Sequence, residues 1–473
     1  MKQDAILAKV TRAINTLIQT GEQYQGLFPS LIDLKTNLML TETPAPIAGQ
    51  RAGDRSHFGS NLIHDENLLA TMYSLASAIN KPEYSQAADR YLKRFATHCT
   101  DTVTGLFPWG EHSYWDLADD RVGNSSRYHD PNSTNPAIHD HLRLAPVWLW
   151  DKLYQFNPKC VERFSEGLDY HWKDMPHPEY SRHGDIEVKE RPVIYDFCSY
   201  DFPRHSGFYI LDWAFAYLKT GRPDFLTQIR KILNVWPPHR YEDGLLPPCS
   251  RCTERVVDFY ETRACGQTIG LAASLFDTAK LLDEKEPELA SEMRDLALGY
   301  ANGFINAPHD LENEVFLLGF KPGDPDRTMT MPIWGSQYGV WPAAPTALIC
   351  LLTYRHTSDE RFLRWAEAVG CSYIKQPLPD DVAIPANDAG LALDLLADLY
   401  DITGDKVWLD GGLILSSKLL EVYLDNDLPR GAAGIDWYES QMGPSFLLHG
   451  LTRTALLAEG RETCALKDDY TAR

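Results

Sequence analysis

The sequence lacks any apolar run long enough to cross a membrane, and no Gly/Ser linker or low-complexity segment divides it. Its first 20 residues carry charges inside their apolar stretch, unlike the uninterrupted core of a signal peptide. We therefore expect a cytoplasmic protein with no membrane partner. The even composition predicts a single domain over 1–473, with 1–61 forming an N-terminal helix and a strap across the surface.

Positive charge is scarce. The chain has 45 Lys and Arg residues against 66 Asp and Glu residues, a formal net charge of −21. Binding of phosphate backbones requires a basic face, so this balance argues against a nucleic-acid partner. A local basic pocket remains compatible with it.

Motifs of several reaction classes are also missing. The chain has no Gly-rich phosphate loop, no nucleophile elbow and no HExxH motif, so phosphoryl transfer and redox chemistry have no support. Its nine cysteines are irregularly spaced, which indicates reduced thiols. The one CxxC, at 249–252, has no second copy to complete a zinc site, so we predict no metal and no cofactor.

A recurring turn is present instead. In LYDITGDKVWL (399–409) an apolar helix ends at Gly404, Asp405 caps a second helix, and Trp408 anchors that helix. The same pattern occurs in AYLKTGRPDFL (216–226), and weaker copies occur elsewhere. These copies lie at 79–84, 156–164, 283–290 and 355–363. The sequence therefore predicts six helical hairpins.

In each hairpin the first helix is the more apolar, which places it in an interior, whereas the one-sided second helix belongs on a surface. This predicts an all-α fold, an (α/α)6 barrel with an inner and an outer ring. A last helix at 441–458 is expected beside the first helix at 3–20. The predicted hairpin helices are 64–80 and 84–99, 139–155 and 159–174, 206–220 and 224–235, 264–283 and 288–306, 342–357 and 359–374, and 388–403 and 406–424.

The connections between hairpins are long and should all lie at the end where the inner helices begin. Long ordered loops in compact domains tend to carry function. Converging helix N-termini also favour an anionic ligand. The connections are 100–138, 175–205, 236–263, 307–341, 375–387 and 425–440.

The first connection, FPWGEHSYWDLADD (107–120), combines aromatic rings with acid groups, as a sugar site does. A packed loop with a salt-bridged glutamate is the alternative. Its candidate residues are Trp109, Glu111, His112, Tyr114 and Trp115.

The segment IHDHLR (138–143) is expected at the start of the second inner helix, with His139 and Asp140 as proton-transfer candidates. Asp140 as a helix cap is the alternative. Histidines two residues apart point to different sides of a helix, which disfavours zinc.

Two Arg-His pairs follow, Arg182-His183 and Arg204-His205. Arginine binds carboxylates through a two-pronged contact, and a neighbouring histidine can transfer a proton. The pairs favour a uronate or another carboxylate-bearing substrate, and an internal ion-pair network is the alternative.

Later connections bring further binding candidates, each of which could also be an ordinary cap or ion pair. These are Arg263, Trp334, Tyr338, Asp388, Trp437 and Tyr438.

The hairpin pattern with aromatic, acidic and histidine-rich loops resembles the six-hairpin glycosidase superfamily over residues 60–460. GLFPWGEHSYWD (105–116), the histidines that follow and the RHG element at 182–184 are similar to bacterial proteins labelled pectate lyases. Those proteins in turn resemble the β-glucuronidases of glycoside hydrolase family 154. No diagnostic catalytic motif is shared, and the motifs of unsaturated-uronyl hydrolases are not evident.

The first hypothesis is a glycoside hydrolase that releases a uronic acid, β-glucuronidase-like, with Glu111 or Asp140 as the acid. The second is a polysaccharide lyase, in which a histidine or tyrosine removes the proton next to a carboxyl group held by arginine. The third is a non-catalytic carbohydrate-binding toroid. The expected partner is an oligosaccharide or glycoside, and the sequence leaves homo-oligomer formation open.

Overall fold

The computed structural model describes residues 3–173, 179–191, 199–251, 261–337 and 339–461. Its helices are α1 Gln3–Gly21, α2 Leu62–Ala78, α3 Pro82–Arg94, α4 Ser125–His129, α5 Val147–Phe156, α6 Pro158–Gly167, α7 Pro203–Thr220, α8 Pro223–Leu233, α9 Cys265–Leu282, α10 Pro287–Ile305, α11 Ala343–Thr357, α12 Glu360–Lys375, α13 Ala386–Thr403, α14 Lys406–Tyr423 and α15 Pro444–Ala458. Its strands are β1 Leu31–Asp33, β2 Gly59–Ser60, β3 Ser113–Asp116, β4 Arg121–Asn124, β5 Ile138–Asp140, β6 Trp172–Lys173, β7 Glu179–Tyr180, β8 His183–Asp185, β9 Leu317–Lys321, β10 Asp324–Thr330 and β11 Trp437–Glu439. No helix in these ranges has both the length and the apolarity needed to span a bilayer.

The hairpin corners form as the turn pattern predicts. Gly221 and Gly404 both adopt φ +70°, a left-handed conformation that glycine tolerates and that ends α7 and α13. The side chain of Asp405 accepts a hydrogen bond of 3.0 Å from the backbone N–H of Val407 and caps α14. Proline opens α3, α6, α8 and α10, where its missing N–H costs nothing.

The helices form two layers. The first helix of most hairpins is buried on nearly every side, as in α7, where even Asp212 is 1% exposed, whereas α5 buries only Leu149, Trp150 and Leu153. The second helix is buried along one stripe only; α8 buries Phe225, Ile229, Ile232 and Leu233. This is the all-α, (α/α)6 arrangement of inner and outer helices that the sequence predicts.

The two ends of the chain close the ring. Helix α15 contacts both α13 and α2, and α1 packs against it. Strands β1 and β11 pair antiparallel, with Leu31 opposite Glu439. The main apolar core runs from Ile6 to Leu456. The predicted pairing of the first and last helices is confirmed.

The prediction of a second inner helix at 139–155 is partly wrong. Residues 138–140 form strand β5, which pairs with β8 so that Asp140 lies opposite His183. The helix starts only at Val147, after Pro146, whose φ of −72° and ψ of 157° are extended. Its partner α6 ends at Gly167, short of the predicted 174. A pairing between distant segments therefore replaced the local helical pattern, and Asp140 is not a helix cap.

Candidate active site

A cavity of about 520 Å³ opens at the end of the molecule where the inner helices begin. Its lining includes Arg204 from the first turn of α7, Gln267 from α9, Pro345 from α11 and Asn387 from α13. The expected convergence of inner-helix N-termini and long connections is confirmed. Residues 47–51 of the N-terminal strap close one side of this cavity.

The cavity is locally basic although the chain is strongly acidic. Among its described lining residues are four arginines but only two carboxylates, Asp54 and Glu111. Guanidinium groups in a partly enclosed site attract carboxylates more strongly than they would in water. The lining arginines are Arg51, Arg143, Arg182 and Arg204.

Arg182 joins two acidic residues from separate segments. Its Nη1 donates to Oε2 of Glu111 at 2.8 Å and also to Oδ2 of Asp140. Asp140 is fully buried, and burial opposes its ionisation, but Arg182 and then His183 outweigh that effect and hold its pKa well below its usual range. A lowered pKa favours the ionised form of Asp140.

The backbone brings these groups together. The β5–β8 pairing places Asp140 beside the turn that carries Arg182. Gly110, at φ +99°, lets the loop bearing Glu111 approach closely, since a Cβ there would lie 2.0 Å from the backbone oxygen of Asp140. A side chain at position 110 would push Glu111 away from Arg182.

Asp54, in the strap, is the second carboxylate of the cavity. Burial, reinforced by the Glu111 carboxylate, raises the pKa of Asp54 to about 7 against the opposing effects of Arg51 and Arg182. An oxygen of Asp54 lies within 4.8 Å of an oxygen of Glu111. One site thus holds a buried carboxyl group with a raised pKa beside a carboxyl group that is bonded to arginine.

Three histidines surround this cluster. Nε2 of His183 lies 3.5 Å from Oδ2 of Asp140, and Nε2 of His205 lies 3.8 Å from Oδ1. Nε2 of His112 lies 3.7 Å from Oε2 of Glu111. Burial and the neighbouring His183 lower the pKa of His112, so its imidazole is neutral at pH 7 and can accept a proton.

His139 lies behind the cavity wall in a directed hydrogen-bond chain. The indole N–H of Trp109 donates to its Nε2 at 2.8 Å, so its Nδ1 carries the proton and donates to Nε2 of His171 at 2.9 Å. Nδ1 of His171 then donates to the backbone oxygen of Ser181 at 2.8 Å. This chain supports the turn that carries Arg182, so the geometry gives His139 a positioning role.

Two overlapping groups have the composition of metal ligands. They are His112, Asp140 and His183, and Asp54, Glu111 and His112, each with its donor atoms within 4.8 Å of one another. Imidazole and carboxylate donors suit several divalent transition metals. Arg182 already bonds Glu111 and Asp140, however, so a cation would compete with a guanidinium for the same oxygens.

The predicted aromatic residues of the first connection are packed inside the protein. Trp109 is fully buried, Tyr114 is 3% exposed and Trp115 is 7% exposed. Within the described part of the chain the rings that line the cavity are those of Phe202 and Trp341. Trp341 was not predicted as a site residue, although it ends the 307–341 connection that contains the candidates Trp334 and Tyr338.

Three later candidates hold loops in place. Oδ2 of Asp388 accepts the backbone N–H groups of Gly335 and Ser336, the latter at 2.8 Å. The indole of Trp334 donates to the backbone oxygen of Gln376 at 3.1 Å. Arg263 bonds Oδ2 of Asp243 at 3.0 Å. The structure does not bring these side chains into the lining.

Trp437 and Tyr438 also lie in the wall. The indole of Trp437 donates to Oε2 of Glu439 at 2.9 Å, and Tyr438 is fully buried. Tyr338 lies outside the described residues. Of the predicted site residues, those lining the cavity are Glu111, Arg182, Arg204 and His205, with His112, Asp140 and His183 in contact behind them.

Sequence reasoning predicted the strap but missed that it contributes residues to the cavity. Its segment QRAGDRSH (50–57) is dense in charge, which was the available signal. Arg55 donates through Nε and Nη2 to Glu439 at 2.6 and 2.7 Å, and both residues are buried. This ion pair fastens the strap to the last connection and so positions Asp54.

Comparison by sequence connects the site-bearing part of the chain with pectate lyases. A family model described as periplasmic pectate lyase matches residues 36–208. A pectate disaccharide-lyase of Dickeya dadantii (strain 3937) is 23% identical over 184 residues, which are 39% of this chain and 32% of that protein. The match thus spans about a third of that relative's length, and it confirms the resemblance to proteins carrying the pectate lyase label.

Comparison by structure concerns the whole ring. A sugar epimerase from a ruminal bacterium superimposes with a TM-score of 0.50 at 12% identity, over 80% of this chain and 88% of that one. A D-mannose isomerase gives 0.50 at 12% identity, over 79% of this chain and 98% of the other. At this level of identity the likeness concerns the fold alone, and it confirms the six-hairpin arrangement.

Proposed function

We propose that this protein is a carbohydrate-active enzyme that hydrolyses a uronic-acid-containing glycoside or oligosaccharide, with Asp54 as the general acid and Glu111 as its carboxylate partner. The observation that carries the proposal is a pair of acidic groups, Asp54 and Glu111, with oxygens within 4.8 Å of each other in an arginine-lined cavity, where burial raises the pKa of Asp54 to about 7. Glycoside hydrolysis requires one protonated and one ionised carboxyl group on either side of the scissile bond.

The roles follow from the environments. Asp54, whose pKa of about 7 keeps a proton available, protonates the glycosidic oxygen as the bond to the leaving group breaks. Glu111, paired with Arg182, faces the anomeric carbon as a carboxylate. Asp140 keeps Arg182 in place and takes no proton, which replaces its expected role as an acid.

The spacing of the two carboxyl groups bears on the stereochemistry. Retaining glycosidases keep theirs ~5 Å apart, whereas inverting enzymes leave ~6.5 to 9.5 Å for a water molecule. Asp54 and Glu111 each have an oxygen within 4.8 Å of the other, and with Glu111 as the attacking group we expect net retention. Proton NMR of the first product formed from an aryl glycoside checks this, because inversion would place the opposite anomer first.

The arginines support a uronate as the sugar. Four guanidinium groups line a small cavity in a chain of net charge −21, a placement that favours a carboxylate over a neutral sugar. A β-glucuronide is the form that the resemblance to glycoside hydrolase family 154 suggests. The cytoplasmic location likewise stays a prediction from the N-terminal sequence.

A second candidate, cleavage by β-elimination, is favoured by the pectate lyase family match over residues 36–208, which contains the whole Asp54–Arg182 cluster. In that reaction the neutral imidazole of His112 removes the proton next to the carboxyl group while arginine stabilises the resulting charge. The glycosidic oxygen then leaves with the proton of Asp54, and a carbon–carbon double bond remains.

One experiment separates the two reactions. Aryl glycosides and oligosaccharides of glucuronic, galacturonic and neutral sugars are incubated with the protein while ultraviolet absorbance and reducing ends are recorded. On the oligosaccharides, hydrolysis yields reducing ends without the absorbance of a new carbon–carbon double bond, whereas elimination yields both in equal amounts. On the aryl glycosides, hydrolysis is followed by the phenol that leaves. Turnover of neutral sugars alone would contradict the uronate proposal, and binding without any turnover would leave a carbohydrate-binding toroid.

A further inference from the structure

One part of the cavity lining is apolar. The connection at 307–341 contributes three apolar side chains to it, those of Leu318, Met329 and Trp341, which we call the apolar wall. The two described carboxyl groups of the lining, Asp54 and Glu111, come instead from the strap and from the first connection. The proposed acid and its partner therefore lie on other segments than the apolar wall, although all of them face one cavity.

Strands β9 and β10 hold the apolar wall against the start of α9. Arg263, just before α9, exchanges two backbone hydrogen bonds with Phe320 of β9, at 2.7 and 3.1 Å. Gly266, in the first turn of α9, permits a close approach, because a Cβ there would lie 3.0 Å from Cδ1 of Leu318 and 3.7 Å from Cζ2 of Trp341. Leu318 and Trp341 thus meet at the same short stretch of helix.

Met329 extends the apolar wall to the mouth of the cavity. Strand β10 is exposed along nearly its whole length, and Met329 is 43% exposed although it also lines the cavity. It lies opposite Gly319 of β9, where a Cβ would be only 3.2 Å from Cε of Met329. A flexible, polarizable thioether adapts to a ligand and packs well on aromatic rings.

The cavity has room for a leaving group beside the sugar. Its volume of about 520 Å³ lies in the range of ~300 to 1,000 Å³ that holds drug-sized ligands. In the proposed hydrolysis the scissile bond lies at Asp54 and Glu111, so the leaving group occupies another part of the same cavity. Cζ of Arg204 lies 4.5 Å from the centroid of the Trp341 ring, a contact that holds the indole in place.

We infer that Leu318, Met329 and Trp341 form the subsite for the leaving group of the substrate, and that this group is aromatic. A thioether, an isobutyl group and an indole leave the hydroxyl groups of a second sugar largely unsatisfied, whereas they suit the face of an aromatic ring. The inference rests on the proposed function. It narrows the substrate to a uronic acid joined to an aromatic group.

The test is calorimetric titration of the full chain with phenyl and methyl 1-thio-β-D-glucuronide, whose sulfur linkage resists hydrolysis. The two corresponding thioglucosides and D-glucuronate are titrated in parallel. The variants are Met329→Ser and Trp341→Leu, and Met329→Ser, at an exposed position, remains informative if Trp341→Leu fails to fold. Leu298→Ser is the matched control, because Leu298 on α10 is 41% exposed and lies outside the cavity lining. Circular dichroism verifies the fold of each variant.

We expect the wild type and Leu298→Ser to bind the phenyl compound about tenfold more tightly than the methyl compound. In Met329→Ser and Trp341→Leu this preference should shrink by about threefold or more, with unchanged affinity for D-glucuronate. An unchanged preference in the folded variants, or a wild type without one, would overturn the leaving-group subsite. An equal loss of affinity for D-glucuronate would assign the apolar wall to the uronate instead.

Failure of the proposed function gives a different result. A wild type that binds the thioglucosides as tightly as the thioglucuronides would overturn the uronate substrate. The preference for phenyl over methyl within each sugar series would still decide whether the apolar wall binds the leaving group.

Discussion

At the scale of single residues, the candidate site depends on how burial divides charge among neighbouring acids. Asp54 and Asp140 are both removed from water, yet their pKa values shift in opposite directions, because Asp140 has Arg182 and His183 beside it whereas Asp54 faces Glu111. Burial raises the pKa of any carboxyl group, and a bonded guanidinium reverses the shift. The identity of the neighbour therefore decides which group can donate a proton.

Replacing Asp54 by Asn tests its role as the acid. A general acid works only while protonated, so kcat/KM should fall as the pH rises through about 7, the raised pKa of Asp54. In Asp54→Asn we expect kcat to fall by ~10² to 10⁴ and this alkaline decline to disappear. The pH profiles of both proteins check it, and a variant that keeps the wild-type alkaline limb would assign the proton to another group.

Replacing Arg182 by Met tests how much its bonds to Glu111 and Asp140 stabilise the protein. Asp140 would remain buried without its cation, so the free energy of unfolding should drop by about 3 to 5 kcal/mol. Adding Asp140→Asn removes the stranded charge and should recover part of the loss. Urea unfolding of the single and double variants measures the coupling energy between Arg182 and Asp140. Purely additive losses in the free energy of unfolding would show that the two side chains do not stabilise each other.

At the scale of elements, all six hairpins follow one local pattern. An apolar helix is followed by a sharp corner and by a helix that is apolar on one side. The corners at Gly221 and Gly404 have open space around the glycine, so only the left-handed backbone requires that residue. The element that departs from the pattern, strand β5, is the one that carries Asp140 to the site. Regular hairpins thus build the ring, and the strand that departs from their pattern brings Asp140 to Arg182.

Two glycines of the last hairpin should respond oppositely to alanine. Gly404→Ala forces a side chain into the left-handed region and should destabilise the protein by ~1 to 2 kcal/mol. Gly412→Ala, within α14 and 3.4 Å from Thr454 at its nearest contact, should be neutral or stabilising by up to about 1 kcal/mol. Thermal unfolding compares the two variants. Equal effects would indicate that the backbone conformation at position 404 does not require glycine.

At the scale of the whole molecule, the ring is closed by the two ends of the chain. Helix α1 packs on α15, β1 pairs with β11, and Arg55 bonds Glu439 between them. Because the strap with Asp54 belongs to this closure, the site is complete only when both ends are folded. We propose on this basis that residues 1–473 act as one domain.

A buried and an exposed isoleucine test this closure. Ile14, in α1, is fully buried, so Ile14→Ala should lower the free energy of unfolding by about 2 to 5 kcal/mol. Ile414 is 74% exposed on α14, and Ile414→Ala should change it by less than about 0.5 kcal/mol. Calorimetry should show one transition that shifts as a whole in Ile14→Ala. A separate early transition would contradict the single domain.

The sequence by itself determined most of the helices, their two layers and the end of the molecule where the long connections and the cavity lie, because apolar periodicity, caps and corner glycines act over a few residues. Residues on predicted loops such as Glu111 and Arg182 could be recognised by their type. Only the tertiary structure decided that Asp54 joins them, that Asp140 stays ionised, and that Trp109 and His139 lie behind the wall. These outcomes depend on pairing between distant segments and on the burial it creates, and no local pattern encodes the electrostatic environment that a residue meets after the ring closes.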